Sequence, residues 1–267
     1  MNTIIAPTDF SDISLNAVNY AADMAVDLNA ELIVTHVTDF SLIASDVPVT
    51  STINLDEEWS EEQLENLRDK LMERTKNKIH IRFENLRGSV LHELDNFFET
   101  EKPFAIVMAT HGPSAFERMF LQSVTLHTTK HIKYPVMIIP SNATYNGIKN
   151  IGLACDLETV YHEPLVNIRN FVSAFHASLH VLHVRKTAAC ELFGEMMLTR
   201  HYLKEFNPKL HFIESDDSVD KSIFSFAKEN CIDLLIVFQK KHTMREKSEL
   251  KNFVLHPQLP LMTLQPL

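Results

Sequence analysis

The sequence predicts an α/β protein made of two tandem, doubly wound domains, each with a five-stranded parallel sheet. Three observations carry that expectation. Apolar runs of strand length alternate with stretches of helical periodicity, turn-forming residues separate them, and the pattern starts again about halfway along the 267 residues.

Residues 2–8 form a short β-like run ending at Asp9. Ser11 follows as a helix N-cap, with Asp12 in the positive first turn. Ile13, Ala17, Tyr20, Ala21, Met24 and Leu28 then recur at helical spacing, giving a helix of about 15 residues with one apolar face. Asn29-Ala30 breaks it, and residues 31–37 return as a strand. Strand, helix, strand in that order makes a parallel pair with a right-handed crossover. Residues 38–56 are polar with one proline and read as a surface loop, followed by a helix over about 57–76. A third strand is expected at 79–84, and Val90, Leu94, Phe97 and Phe98 mark the inner face of a third helix. Residues 104–109 give the fourth strand and 135–139 the fifth.

The repeat supports the same architecture. A shift of 147 brings Asp9 onto Asp156, Ala30 onto Ala177, and Val34, His36 and Val37 onto Val181, His183 and Val184. The shift then becomes 129, pairing Ser89-Val90 with Ser218-Val219, and 125 at the end, pairing residues 134–139 with 259–264. These shifts change across loops and the second helix, where a duplicated domain diverges. The expected domains are residues 1–141 and a more degenerate 148–267, with the boundary in Ser141 to Lys149.

Composition narrows the function classes. Hydrophobic content of 45% with 22% charged residues is that of a soluble globular chain, and no apolar run approaches the ~20 residues of a membrane helix. A net charge of −10 argues against general nucleic-acid binding, which needs a basic face. Cys155, Cys190 and Cys231 are widely spaced and odd in number, so no disulfide framework is expected. With no basic, apolar leader at the start, a cytoplasmic location is the expectation. His127 and His131 share a helix face, but no third ligand accompanies them, and no metal site is expected. His180 and His183 differ by an odd number and face opposite sides of their strand. No nucleophile elbow, Walker lysine or zinc-deaminase pattern is present, so no catalytic residue is assigned.

The most informative stretch runs from Phe104 to Ser123. After the fourth strand, residues 110–113 turn the chain, and Ser123 reads as the N-cap of a helix starting at Val124. A strand, a glycine turn and a helix N-terminus together make a place where phosphate sits. The frame is Ala109-x-x-Gly112, nine residues, then Gln122-Ser123. It resembles the universal stress protein family (UspA-like, tandem two-domain form), whose ATP-binding members carry G-x-x-G, nine residues, G-[S/T] at this place. The resemblance covers nearly the whole chain and implies an adenine-nucleotide alpha-hydrolase-like sheet of strand order 3-2-1-4-5. It also implies that the fifth strands of two domains meet across a two-fold axis. One chain would then imitate the family's dimer, with a homodimer left open.

The same resemblance implies a nucleotide crevice in the first domain. Its residues are Pro7, Thr8 and Asp9 at the end of strand 1, Val37 at the end of strand 2, then Ala109, Gly112, Gln122, Ser123 and Val124. Asp9 would face the adenosine and the Val37 backbone the adenine. Two of three glycines are replaced, and Gln122 is the larger obstacle to phosphate because its Cβ stands where a backbone would approach closely. In the second domain Pro7-Thr8-Asp9 becomes Ala154-Cys155-Asp156, Ala109 becomes Phe238, and Gly112 and Gln122-Ser123 become Lys241 and Lys247-Ser248 with a shortened spacer. Two functions follow, while a third, slow ATP hydrolysis, needs a bound metal and a poised water for which the sequence names no group. One is a non-catalytic stress-response protein acting through protein partners or assembly, its nucleotide site degenerate and no cofactor bound. The alternative is an ATP- or AMP-binding sensor using the first domain only.

Overall fold

In the computed structural model, residues 2–39, 49–110, 115–154, 164–185, 203–214, 218–238 and 252–265 are described. The chain divides into two units, Met1–Tyr145 and Asn146–Leu267. In the first, the elements are β1 (Thr3–Pro7), α1 (Asp12–Leu28), β2 (Glu31–Thr38), α2 (Val49–Thr75), β3 (Ile81–Arg87), α3 (Val90–Glu101), β4 (Ala105–Ala109), α4 (Ala115–His131) and β5 (Val136–Ile139). All neighbouring strands are parallel, in the order β3-β2-β1-β4-β5.

Local chemistry explains the element ends. The Ser11 hydroxyl accepts a hydrogen bond from the Ser14 N–H at 3.3 Å and caps α1. Asn29, in the left-handed region at φ 47°, closes α1, its N–H bonding back to the carbonyls of Ala25 and Val26. Asparagine tolerates that region better than most residues. Ala17, Val18, Ala21, Met24 and Ala25 are fully buried, so the inner face of α1 is wider than the apolar periodicity alone indicates. In α3, Leu94 and Phe98 are the buried residues, each contributing about 1.5–3 kcal/mol through burial. All five residues of β4 are buried, as a central parallel strand requires.

Three sequence expectations are corrected here. The helix expected from about residue 57 starts at Val49, so much of the expected loop is helical, and residues 40–48 lie outside the described residues. The third strand lies at Ile81–Arg87, later than 79–84, because Lys76 and Asn77 take left-handed conformations and prolong the turn after α2. The helix expected to start beside Ser123 starts at Ala115, which places Gln122 and Ser123 in its interior.

The second unit contains β6 (Asn150–Ala154), α5 (Leu165–Phe175), β7 (Ser178–Arg185), β8 (Lys209–Glu214), α6 (Val219–Glu229), β9 (Leu234–Phe238) and β10 (Leu261–Leu264). Its strands run β8-β7-β6-β9-β10, again all parallel, so both units have the 3-2-1-4-5 order. A Cβ on Gly152 would stand 3.0 Å from Ile232 Cγ2 and 3.3 Å from Leu182 Cδ1, so glycine here lets neighbouring side chains close over β6. Among the described residues, no helix is long and apolar enough to cross a membrane.

Candidate functional site

In the first unit β1 pairs with β2 on one side and β4 on the other, so the chain leaves β1 and β4 toward opposite faces and opens a crevice at their carboxyl ends. A cavity of about 150 Å³ lies there. Pro7, Thr8 and Asp9 border it from β1, and Met108 and Ala109 from β4. Thr35, His36 and Val37 close it from β2, Asp39 from just beyond that strand, and Val90, Leu94, Ser14 and Val124 from the helices.

The β1 end of the cavity is fixed by a chain of short-range hydrogen bonds. Ser14 Oγ donates to the Ser11 carbonyl at 3.0 Å, which leaves it to accept the Thr8 hydroxyl proton at 2.9 Å. Thr8 Oγ1 in turn accepts the Phe10 N–H at 3.0 Å. Asp9 Oδ1 accepts from both the Ser11 N–H at 3.1 Å and the Ser11 hydroxyl at 2.6 Å. The carboxylate therefore holds the residue that caps α1, and among the described residues its Oδ2 takes no hydrogen bond.

His36 braces the same corner. Its Nδ1–H donates to the Thr8 carbonyl at 2.8 Å, because a carbonyl can only accept. Burial pushes the His36 pKa down, while the Thr8 carbonyl and the Asp9 charge oppose the shift. Phe10, at φ 63°, lies against His36 with ring centroids 4.6 Å apart. The half-exposed Trp59 meets Phe10 edge-on at 5.4 Å. At the β4 end, the Thr125 hydroxyl donates to the Ala109 carbonyl at 2.8 Å and ties α4 to the strand terminus.

Pro7, Thr8, Asp9, Val37, Ala109 and Val124 are thus brought together around one cavity. Gly112 lies outside the described residues. Ser123 is exposed and internal to α4, so it is not an N-cap, and the backbone N–H groups of residues 122 and 123 belong to a helix interior instead of a free terminus. Among the cavity walls that sequence reasoning missed are Thr35, Val90, Leu94 and Met108. Thr35 carried a signal, a polar residue inside an apolar strand. The others looked like ordinary core positions.

In the second unit, Cys155, Asp156, Lys241, Lys247 and Ser248 lie outside the described residues. Phe238 ends β9 half-buried. His183 meets Phe212, whereas His180 stacks on His211 with centroids 5.2 Å apart, so the two strand histidines do take opposite sides. His127 pairs with Asp95 at 2.8 Å and His131 with the His127 carbonyl at 2.9 Å. Among the described residues, no group of three or more His, Cys, Asp or Glu side chains is placed to hold a metal ion.

The family model described as "Universal stress protein family" matches residues 1–140. A universal stress protein of Methanocaldococcus jannaschii is 34% identical over 138 residues, which span 51% of this chain and 80% of that one. Among solved structures, a universal stress protein from Archaeoglobus fulgidus aligns with a TM-score of 0.73 at 17% identity, covering 99% of this chain and 96% of its own. A Pseudomonas aeruginosa structure aligns with a TM-score of 0.60 at 11% identity, covering 100% and 94%. Both likenesses are of fold.

Proposed function

The chain belongs to the universal stress protein family of stress-response proteins, and we propose that it works without catalysis, its first unit taking the base end of an adenine nucleoside or nucleotide. The observation that carries the reading is the cavity at the carboxyl ends of β1, β2 and β4, walled by Asp9, Val37 and Ala109. At about 150 Å³ it matches the space of one ring system and falls below the ~300 Å³ of pockets that enclose a whole drug-sized ligand.

The phosphate end is the weak part. Gln122 and Ser123 lie inside α4 and offer no free backbone donors, so nothing at these two positions rewards a triphosphate over a nucleoside. Adenosine and AMP therefore fit this reading better than ATP. Hydrolysis would need a metal and a positioned water, and the sequence names no group for either. Occupancy would act on protein partners or on assembly through the β1–α1 corner, where Asp9, Ser11 and His36 share hydrogen bonds with the cavity wall.

Titration calorimetry with adenosine, AMP and ATP, together with mass spectrometry of small molecules released on denaturation, tests this. Adenosine and AMP should bind with similar affinity and ATP no more tightly. Tight, metal-dependent ATP binding with turnover would overturn it.

A further inference from the structure

A second space of the first unit, about 350 Å³, lies between α1 and α2. Asp12, Leu15, Asn16 and Asn19 border it from α1, which is the i, i+3, i+4, i+7 stripe of one helix face. Gln63, Asn66, Leu67 and Lys70 form the same stripe on α2. The two helices run parallel: Phe10, just before α1, meets Trp59 of α2 at one end, and Asp23 pairs with Arg74 at the other. Asp12 therefore lies near the Phe10 end and Lys70 toward the Arg74 end. At 1.5 Å per residue their backbones are ~10–13 Å apart along the helix axes.

The groove has an apolar floor, with Leu67 buried and Leu15 half-buried, and walls of neutral amides. Asn16 Nδ2 donates to the Pro140 carbonyl at 3.3 Å and the Ala143 carbonyl at 3.1 Å, which fixes the side chain and leaves Oδ1 to accept. Among the described residues, the side chains of Asn19, Gln63 and Asn66 make no hydrogen bond, and Asp12 and Lys70 make no ion pair. A carboxamide carries a donor and an acceptor side by side, the complement of a peptide group. An extended chain rises ~3.3 Å per residue, so three or four residues span the distance between the two charges. A neutral sugar of that length would use the amides and neither charge.

We propose that the α1–α2 groove binds a short free peptide of three or four residues. Its ammonium group meets Asp12, its carboxylate meets Lys70, and its backbone lies along Asn16, Asn19, Gln63 and Asn66. The amides read the backbone, so side-chain identity matters less than length and free ends. This site is separate from the crevice at the strand ends and does not depend on the nucleoside reading.

The test is titration calorimetry of the full chain with tri-alanine, di-alanine and N-acetyl-tri-alanine amide, whose ends are blocked. Tri-alanine should bind, and the other two at least ~5-fold more weakly. Lys70→Gln should cost about 5-fold against tri-alanine and nothing against the blocked peptide. Gln63→Ala combined with Asn66→Ala should cost about 10-fold, with the thermal midpoint level or higher because alanine favours a helix. No binding of tri-alanine, or equal binding of the blocked peptide, would overturn the proposal. So would a lower midpoint in the double variant, which would give the amides to the fold. Maltotriose bound more tightly than tri-alanine would assign the groove to a saccharide instead.

Discussion

The two units place different residues at the same point of the same topology. In the first, Pro7 sits opposite Thr35 in the β1–β2 register, and in the second Ala154 sits opposite Leu182. Likewise Ala109 lies opposite Ile139, and Phe238 opposite Leu264. The strand ends that bound the cavity thus carry a hydroxyl and a methyl in one unit, a leucine and a phenylalanine in the other. Leu182 is 1% exposed, and its Cδ1 lies 3.3 Å from where a Cβ on Gly152 would stand. Strand order alone does not make a binding crevice. The side chains at the strand ends set how much room such a crevice has.

Moving a residue across the comparison should have the largest effect. Ala109→Phe gives the first unit the side chain found at the end of β9. Adenosine binding should fall by at least ~100-fold, with a folding cost of about 1–3 kcal/mol for overpacking. Calorimetry beside chemical denaturation separates the two. Unchanged adenosine binding would mean that the ligand sits elsewhere.

The reverse exchange, Leu182→Thr, removes packing from a buried position and buries a hydroxyl beside Gly152. It should destabilise the second unit by about 2–4 kcal/mol and create no adenosine site, because Phe238 remains. Hydrogen exchange along β6 and β7 reads that loss. A gain of ligand binding would show Leu182 alone to be the plug.

A smaller effect belongs to the helix that follows β1. Ser11 caps α1 and is held by Asp9, whereas Pro164 at the start of α5 makes no side-chain cap. Ser11→Ala should cost about 1 kcal/mol and release Asp9, lowering adenosine affinity only modestly. Urea denaturation followed by Trp59, the one tryptophan in the sequence, reports it. A change below the error of the fit would mean that the cap carries no stability.

Much of this contrast was legible in the sequence. The doubling and the Ala109–Phe238 exchange follow from short apolar runs and the internal shift, because parallel strands buried on both faces leave strong signals, while the strand order follows from the resemblance alone. The start of α4 was not legible, since Ser114 before Ala115 and Ser123 before Val124 are both residues of N-cap type in the sequence. The cavity walls on α3 were hidden for a different reason. Val90 and Leu94 have the same helical spacing whether they face a neighbouring side chain or an open space.

The smallest expected effect is a pH dependence that separates the units. In the second, His211 Nε2 lies 3.2 Å from His180 Nδ1, and Phe226 covers His211 at 4.9 Å. Burial lowers the pKa of both imidazoles below the ordinary 6.5, and the Lys209 charge adds to it. For His180 the charge on His211 also contributes. In the first unit the strand position matching His180 is Ile33, fully buried, and Arg82 on β3 pairs with Glu101 at 2.6 Å. The folded state of the second unit therefore prefers neutral histidines. Its extra stability is present above the unfolded-state pKa and is lost as pH falls through and below that value, since the unfolded chain then binds protons the fold resists. His36 pulls the first unit the same way, but its bond to the Thr8 carbonyl and the nearby Asp9 charge restrain the effect. As pH is lowered from 7, the protection factors of the amides in β7 and β8, which correct for the slower intrinsic exchange, should fall before those of β1 and β2. His180→Ile, which installs the first unit's residue, should flatten that difference. An equal fall in protection in both units, or a pH response unchanged by His180→Ile, would show that the histidine pair does not set the order.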